Sequence, residues 1–322
     1  MSKFNIRHIT HYKYENTVRD SASQIMLYPI KDQWQETLQQ KIQVSGSPAI
    51  DLHTDYYGNQ IGTFTHAQPH RELTIDSQLV VTTKPKPMPS DSTPVEEQWN
   101  ELKGLRHHPA YIDFLKTEPF AALSEMEKLI DDERCKNCTP LQSAKHYSEY
   151  IYTHFTYVKG ITTIETTLDE IWKLKSGVCQ DFAHILLAML RPMNIPARYV
   201  SGYICPNKPG MRGEGATHAW VEAYVPSYGW LGLDPTNNCI VNDTHVRLAV
   251  GRSFSDCSPV KGTYRGTSDH TLDVTVTVSY EDGQTVSTES EVLPKKVEQP
   301  TTSNYKNSFR RFQEMQMQQQ QQ

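Results

Sequence analysis

SGVCQDFAHILLAMLR, residues 176–191, sets a glycine and a cysteine directly ahead of an apolar run. With a helix starting at Val178 or Cys179, the residues Phe182, Ile185, Leu186, Met189 and Leu190 fall at helical spacing and bury one face. Cys179 then lies in the first turn. Unpaired backbone N–H groups and the positive end of the helix dipole stabilise a thiolate there, and the thiolate is the nucleophilic form of the side chain. Gly177 opens the backbone to close approach, and the Cys179 N–H is placed to donate to an oxyanion. A cysteine at a helix start also serves as packing, so its partners decide between the two roles.

THAWVEAYVPSYGWLGLDPT, residues 217–236, supplies candidate partners. Val221, Ala223 and Val225 share one face of a strand, while His218, Trp220, Glu222 and Tyr224 share the other. PSYG, residues 226–229, reads as a turn, after which Trp230, Gly232 and Asp234 alternate on a returning strand. His218 and Asp234 lie an even number of residues apart, so an unbulged hairpin centred near Pro226 places them opposite each other on one face. A carboxylate held against one imidazole nitrogen fixes the tautomer and leaves the other nitrogen to accept a thiol proton.

Together, GVCQDFAHILLAMLR, NIPARYVSGYI and THAWVEAYVPSYGWLGLDPT resemble the core of the transglutaminase-like superfamily, in its bacterial branch with an N-terminal β domain. YENTVRDSASQIMLYPI and DYYGN resemble that branch's leader domain. The resemblance implies an α+β, papain-like fold with Cys179 as nucleophile, His218 as general base and Asp234 as the orienting acid. It implies acyl transfer through a thioester, with a peptide or protein as substrate and either water or an amine as acceptor. Hydrolysis of amide or peptide bonds is the leading expectation. Glutamine–lysine cross-linking is the alternative, and a non-catalytic peptide-binding module is the second. Gln180, Tyr157, Trp172 and Trp220 are candidates for the acyl pocket or a second oxyanion donor, with core packing as the other role open to the aromatics. No Asp-x-Asp-x-Asp-Gly calcium loop is present, and no cofactor or metal is expected.

Working outward, Phe4, Ile6, His8, Thr10, Tyr12 and Tyr14 alternate with polar residues, as do Leu73, Ile75, Ser77, Leu79 and Val81. With turn signals at Gly46-Ser47-Pro48 and Tyr57-Gly58-Asn59, residues 1–85 read as an antiparallel β-sandwich or barrel. KPKPMPSDSTP, residues 84–94, is a polar, proline-rich linker. A catalytic core over 86–265 follows, with helices near 95–116, 119–132, 140–154 and 167–175 and strands near 197–204, 217–225 and 229–234. Thr167 and Glu170 are spaced as a capping box. CPNKPGMRGEGA, residues 205–216, reads as a mobile rim over the active site. HTLDVTVTVSY, residues 270–280, alternates cleanly and rejoins either the core sheet or the N-terminal sheet, within a 266–292 strand region. Residues 293–322, ending in QMQQQQQ, read as a disordered tail.

Composition narrows the partners. Interspersed charges with a net of -5 give no basic stripe for nucleic acid, and no apolar run approaches the ~20 residues of a membrane span. The N-terminus lacks a secretory h-region, which makes the cytoplasm the default and predicts six reduced cysteines. CKNC, residues 135–138, is half of a zinc site without a second half. Asp181 reads as a helix cap and His184 as packing.

Overall fold

A computed structural model describes residues 1–280, except 134, 136, 164–165, 206–210, 214–216 and 267, together with the strand backbones of Thr285–Ser287 and Glu291–Lys295. The alternating N-terminal sequence forms β1 (Ser2–Ile25), β2 (Gln35–Val44), β3 (Asp51–Thr54), β4 (Gln60–His66) and β5 (His70–Thr83). The 24-residue β1 serves two sheet regions. Its first half pairs with β5, and its second half pairs with β4 from Ser21↔His66 to Ile25↔Gly62. The register breaks between Lys13 and Val18, and Asp20 takes a left-handed φ of 51°, which turns the strand from one region into the other. Phe4, Ile6, His8, Thr10 and Tyr14 are buried, as are Leu73, Ile75, Ser77, Leu79 and Val81, so the expected alternation is the inner face.

Residues 84–94 carry no regular structure but are held in place. Asp91 accepts hydrogen bonds from Gln98 Nε2 (3.0 Å) and Thr139 Oγ1 (2.7 Å). α1 (Val95–Gly104) is shorter than the expected 95–116 helix, which breaks after Gly104 into two 3₁₀ turns around Pro109. Proline at 109 disfavours helical backbone in the residue before it. α2 (Leu123–Asp132) starts four residues later than expected because Asp169 accepts the Ala121 and Ala122 N–H groups and caps the chain there. α3 (Pro140–His154) opens with a Thr139–Gln142 capping box. The short strand β6 (Thr156–Tyr157) follows, and then α4 (Leu168–Leu174) with the expected Thr167–Glu170 box. β7 (Ser176–Gly177) runs parallel to β6 and feeds α5 (Cys179–Leu190).

More than one face of α5 is buried, because Ala183, Leu187 and Ala188 are enclosed along with the five residues at helical spacing. Such a helix belongs in the middle of a core. It packs against α3 and α4 and against the sheet of β8 (Ala197–Ile204), β9 (Thr217–Val225), β10 (Gly229–Asp234), β11 (Cys239–Ile240) and β12 (His245–Gly251). The order is β11-β10-β9-β8-β12. No described helix is long and apolar enough to cross a membrane.

After a short α6 (Phe254–Cys257), the chain returns to the N-terminal sheet. β13 (Val260–Arg265) pairs with the second half of β1, although the sequence grouped it with the core. β14 (His270–Tyr280) pairs with the first half in unbroken register from Phe4↔Tyr280 to Tyr14↔His270. β15 (Thr285–Ser287) and β16 (Glu291–Lys295) continue from β14, so residues 293–295, placed by the sequence in the tail, pair as strand. Residues 296–322 of that tail lie outside the described residues.

The two halves share a core in which Phe4, Ile6, Leu79 and Val81 meet Tyr203, Val246 and Leu248 of the second sheet. β12 is the outer strand of that sheet, and its edge is covered by side-chain amides. Gln35 bonds both N–H and C=O of Arg247, and Asn59, in the expected turn, does the same at Val250. His8 joins the halves through its Nδ1, 2.8 Å from Tyr203 Oη, while its Nε2 lies 3.1 Å from Thr10 Oγ1 on the same strand. Burial lowers its pKa to about 4. An unfolded histidine binds its proton near pH 6.5, so the unfolded chain takes up more protons between these values and stability falls as the pH drops through them. Urea unfolding at pH 7.5 and 5.0 is expected to show a loss of about 2 kcal/mol from His8 alone, and His8→Gln should remove that portion. An unaltered pH dependence in the variant would refute the assignment.

Candidate active site

Cys179 is the first residue of α5 and is half-buried. Two interactions fix the turn ahead of it. Tyr157 pairs with Gly177 across β6 and β7, and Asp181 Oδ2 reaches back to the N–H of Val178 at 2.8 Å while taking the hydroxyl of Thr162 at 2.6 Å. Asp181 is therefore the helix cap, and burial raises its carboxyl pKa against the pull of those donors. A Cβ on Gly177 would collide with the Asp181 side chain, so the glycine makes room for the cap.

His218 and Asp234 meet, though not directly across the hairpin. The register pairs Gly229 with Val225 and Leu233 with Val221, so the hairpin is centred at Ser227 and His218 lies diagonal to Asp234. The shift comes from the turn, where Ser227 and Gly229 adopt φ values of 64° and 96°. Diagonal neighbours on one face remain within reach of a long side chain, and His218 Nε2 lies 2.8 Å from Asp234 Oδ2. Both side chains are fully enclosed.

Asp234 is surrounded by donors. Oδ1 accepts from the N–H groups of Thr236 (2.9 Å) and Asn237 (3.3 Å), and Oδ2 accepts from Asn237 Nδ2 (2.8 Å). A second histidine, His245, brings its Nε2 to 3.4 Å from Oδ2. Although burial favours the neutral acid, His218 and these hydrogen bonds hold the carboxyl far below its ordinary range. Burial likewise opposes a charged His218, but the Asp234 carboxylate, and after it the Cys179 sulfur, raise the imidazolium to about 10. Cys179 thus lies within electrostatic reach of His218. The other ring nitrogen, Nδ1, has no hydrogen-bond partner among the described residues.

Part of the 205–216 rim rests against that nitrogen. Gly213, at φ 80°, lies so close that a Cβ would stand 2.7 Å from Nδ1. Asn237 secures the preceding residue by accepting the Arg212 N–H at 2.8 Å and donating to its carbonyl at 3.2 Å. Residues 206–210 and 214–216 of the rim lie outside the described residues.

The remaining candidates separate. Tyr157, half-buried with its ring edge-on to Phe182, pairs through its backbone with Gly177, two residues before Cys179. Gln180 is half-buried in the first turn of α5. Trp220 is fully buried with its ring 6.2 Å from that of His218, and its Nε1 has no partner among the described residues. Trp172 is not a donor at the site: its ring is buried, and its Nε1 bonds Oε1 of the exposed Glu125 on α2 at 3.0 Å. His184 accepts the Phe254 N–H and packs against Tyr199, and burial lowers its pKa to about 4.

Two cysteines depart from the expectation of six reduced thiols. Cys135 and Cys138 form a disulfide with Cα atoms 5.3 Å apart, across the turn that leads into α3. Their short spacing reads equally as half of a metal site, and this pairing supplies no thiolate ligand. Among the described residues, His218, Asp234 and His245 have donor atoms within 4.8 Å of one another, the arrangement a metal would need. All three are enclosed, and their hydrogen bonds account for the cluster.

Asn237 and His245 were not singled out by sequence reasoning. Asn237 had a signal, since it follows Asp234 closely enough for a turn through its side chain. His245 had none, because its strand is three places from β10 in the sheet order.

Comparison with known proteins agrees with this architecture. Residues 132–235 match the family described as Transglutaminase-like superfamily, and residues 4–82 match the Bacterial transglutaminase-like N-terminal region. An uncharacterized protein of Mycobacterium leprae is 30% identical over 284 residues, spanning 87% of this chain and 99% of its own. A protein-glutamine gamma-glutamyltransferase of Pseudomonas aeruginosa is 27% identical over 196 residues, covering 58% of this chain and 27% of that one. The crystal structure of an inferred cysteine protease from Cytophaga hutchinsonii superimposes with a TM-score of 0.68 at 20% identity, covering 92% of this chain and 94% of the other. The chain belongs to the transglutaminase-like superfamily and carries that superfamily's bacterial N-terminal region.

Proposed function

We propose that this protein is a cysteine-dependent acyl-transfer enzyme that hydrolyses amide or peptide bonds through a thioester on Cys179. The observation that carries this reading is the enclosed His218–Asp234 pair, with the sulfur of Cys179, at the start of α5, near enough to raise the His218 imidazolium.

In this mechanism the Cys179 sulfur gives its proton to His218 and attacks the carbonyl carbon. The backbone N–H of Cys179 faces the developing oxyanion, with Gln180 as a second donor. The carbon–nitrogen bond then breaks, and the leaving amine takes the proton from His218. Water, deprotonated by the same imidazole, attacks the thioester, and the departing Cys179 sulfur takes that proton back from His218, which restores the starting state. Throughout, Asp234 keeps His218 in one tautomer and balances its positive charge. An amine acceptor in place of water would make the enzyme a gamma-glutamyltransferase, a reading favoured by the Pseudomonas aeruginosa relative. Cross-linking would need an acceptor channel that excludes water.

Two measurements test the reading. Burial raises the thiol pKa of Cys239 to about 12 and those of Cys205 and Cys257 well above the ordinary value. Iodoacetamide at pH 6 is therefore expected to label Cys179 at least tenfold faster, on the order set by thiolate availability, than these three. Equal labelling of all four would end the proposal. Incubation with a glutamine-containing peptide library and a dansylated amine, read by mass spectrometry, then identifies the acceptor. Cleaved peptide or released ammonia without dansyl label marks a hydrolase, and dansylated glutamine marks a transferase.

A further inference from the structure

We propose that His245 is a positioning residue for Asp234, at the end of a turn that the N-terminal sheet anchors; this rests on the reading of Cys179, His218 and Asp234 as a catalytic triad. Asp234 Oδ2 is the atom that orients His218, and it faces three side-chain nitrogens: His218 Nε2, Asn237 Nδ2 and His245 Nε2. Together they fix the direction in which the carboxylate points.

His245 is built to act as a neutral donor. Its side chain is enclosed, its ring stands edge-on to Trp220 at 5.2 Å, and its Nδ1 lies 3.1 Å from Thr244 Oγ1. The tautomer with hydrogen on Nε2 satisfies both neighbours, donating to Asp234 and accepting from the Thr244 hydroxyl. The groups facing the ring are Asp234 from β10, His218 and Trp220 from β9, and Thr244 beside it, with Asp243 adding charge nearby. Burial and the His218 charge lower its pKa against the pull of Asp234, which keeps it neutral in neutral solution.

The turn that carries His245 is tied to the N-terminal domain and the linker. Thr83 Oγ1 donates to the Asp243 carbonyl at 2.6 Å, and Ser2 Oγ donates to Asp243 Oδ2 at 3.0 Å. The Lys86 N–H donates to Asn242 Oδ1 at 2.8 Å, and Cys205 N–H to the Thr244 carbonyl at 2.7 Å. Hydrogen bonds therefore lead from the ends of β1 and β5 through residues 242–244 to His245, Asp234 and His218. This assigns the N-terminal sheet a share in holding the reactive imidazole.

The test compares the wild type with His245→Phe, His245→Gln and Thr83→Val in the full chain. One readout is the downfield proton resonance of the imidazole N–H between His218 and Asp234, which needs no substrate. The other is kcat against KM for a peptide turned over in the library assay. His245→Phe is expected to shift or broaden the resonance and to lower kcat about tenfold to hundredfold with KM unchanged, as for loss of a hydrogen bond to a charged group. His245→Gln should recover most of both, because an amide can donate to Asp234 and accept from Thr244. Thr83→Val should move both in the same direction by less. An identical resonance in wild type and His245→Phe overturns the proposal, as does an equal loss in the Phe and Gln variants. A wild type that turns over no peptide counts against the triad reading alone, since the resonance still decides the role of His245.

Discussion

Cys179→Ala is expected to lower turnover by about six powers of ten, the order of loss when the nucleophile of an acting triad is removed. The size follows from the proposed chemistry. Without the sulfur no thioester forms, and water must attack an unactivated amide with only the oxyanion donors in place. The fold should hardly notice. Cys179 is half-buried at the rim of the core, and losing one sulfur there is expected to change stability by about 1 kcal/mol or less. Initial rates by mass spectrometry, with circular dichroism to confirm folding, check this. Activity near that of the wild type would remove Cys179 from the chemistry.

Asp234→Asn is expected to lower turnover by about four powers of ten, as replacement of the triad acid does elsewhere, and also to destabilise the protein. The second effect comes from the hydrogen bonds. One carboxylate oxygen faces three donors and the other faces two backbone N–H groups. Either orientation of an asparagine amide sets its NH₂ against donors in a fully buried place, at a cost of about 2–4 kcal/mol. The sign of the pH dependence follows from both partners. Asp234 is held below its unfolded value, so its contribution is present above about pH 4 and lost as the pH falls. His218 is raised to about 10, so its contribution is complete below about pH 6.5 and lost as the pH rises through 10. The stability gap between wild type and variant should therefore be widest between about pH 4 and 6.5 and narrow towards pH 10. A gap independent of pH would show that the pair is not ionised as described.

The residues of the proposed triad were legible because their signals are local. Helical spacing after Cys179 places it at the start of α5, and strand alternation puts His218 and Asp234 on one face of a hairpin. Both patterns depend on periods of a few residues, which survive without knowledge of the rest of the chain. The same holds for the Thr167–Glu170 box and for β8 to β10, whose bounds coincide with the expected ones. Errors arose where a local pattern had more than one outcome. The hairpin register depended on two left-handed turn residues, the CKNC spacing suited a disulfide as well as a metal, and Trp172 found a partner in Glu125 of α2.

By itself, then, the sequence determined that an antiparallel β domain precedes an α+β core, and that a cysteine, a histidine and an aspartate stand where one site can use them. Only the tertiary structure decided that β13 and β14 return to β1, that Asp181 fills the space above Gly177, and that His245 reaches Asp234 from a distant strand. The reason is the range of the interactions. Periodicity records which face of an element is buried, whereas sheet partners and shared carboxylates depend on how curved sheets bring distant segments together, and no spacing along the chain encodes that distance.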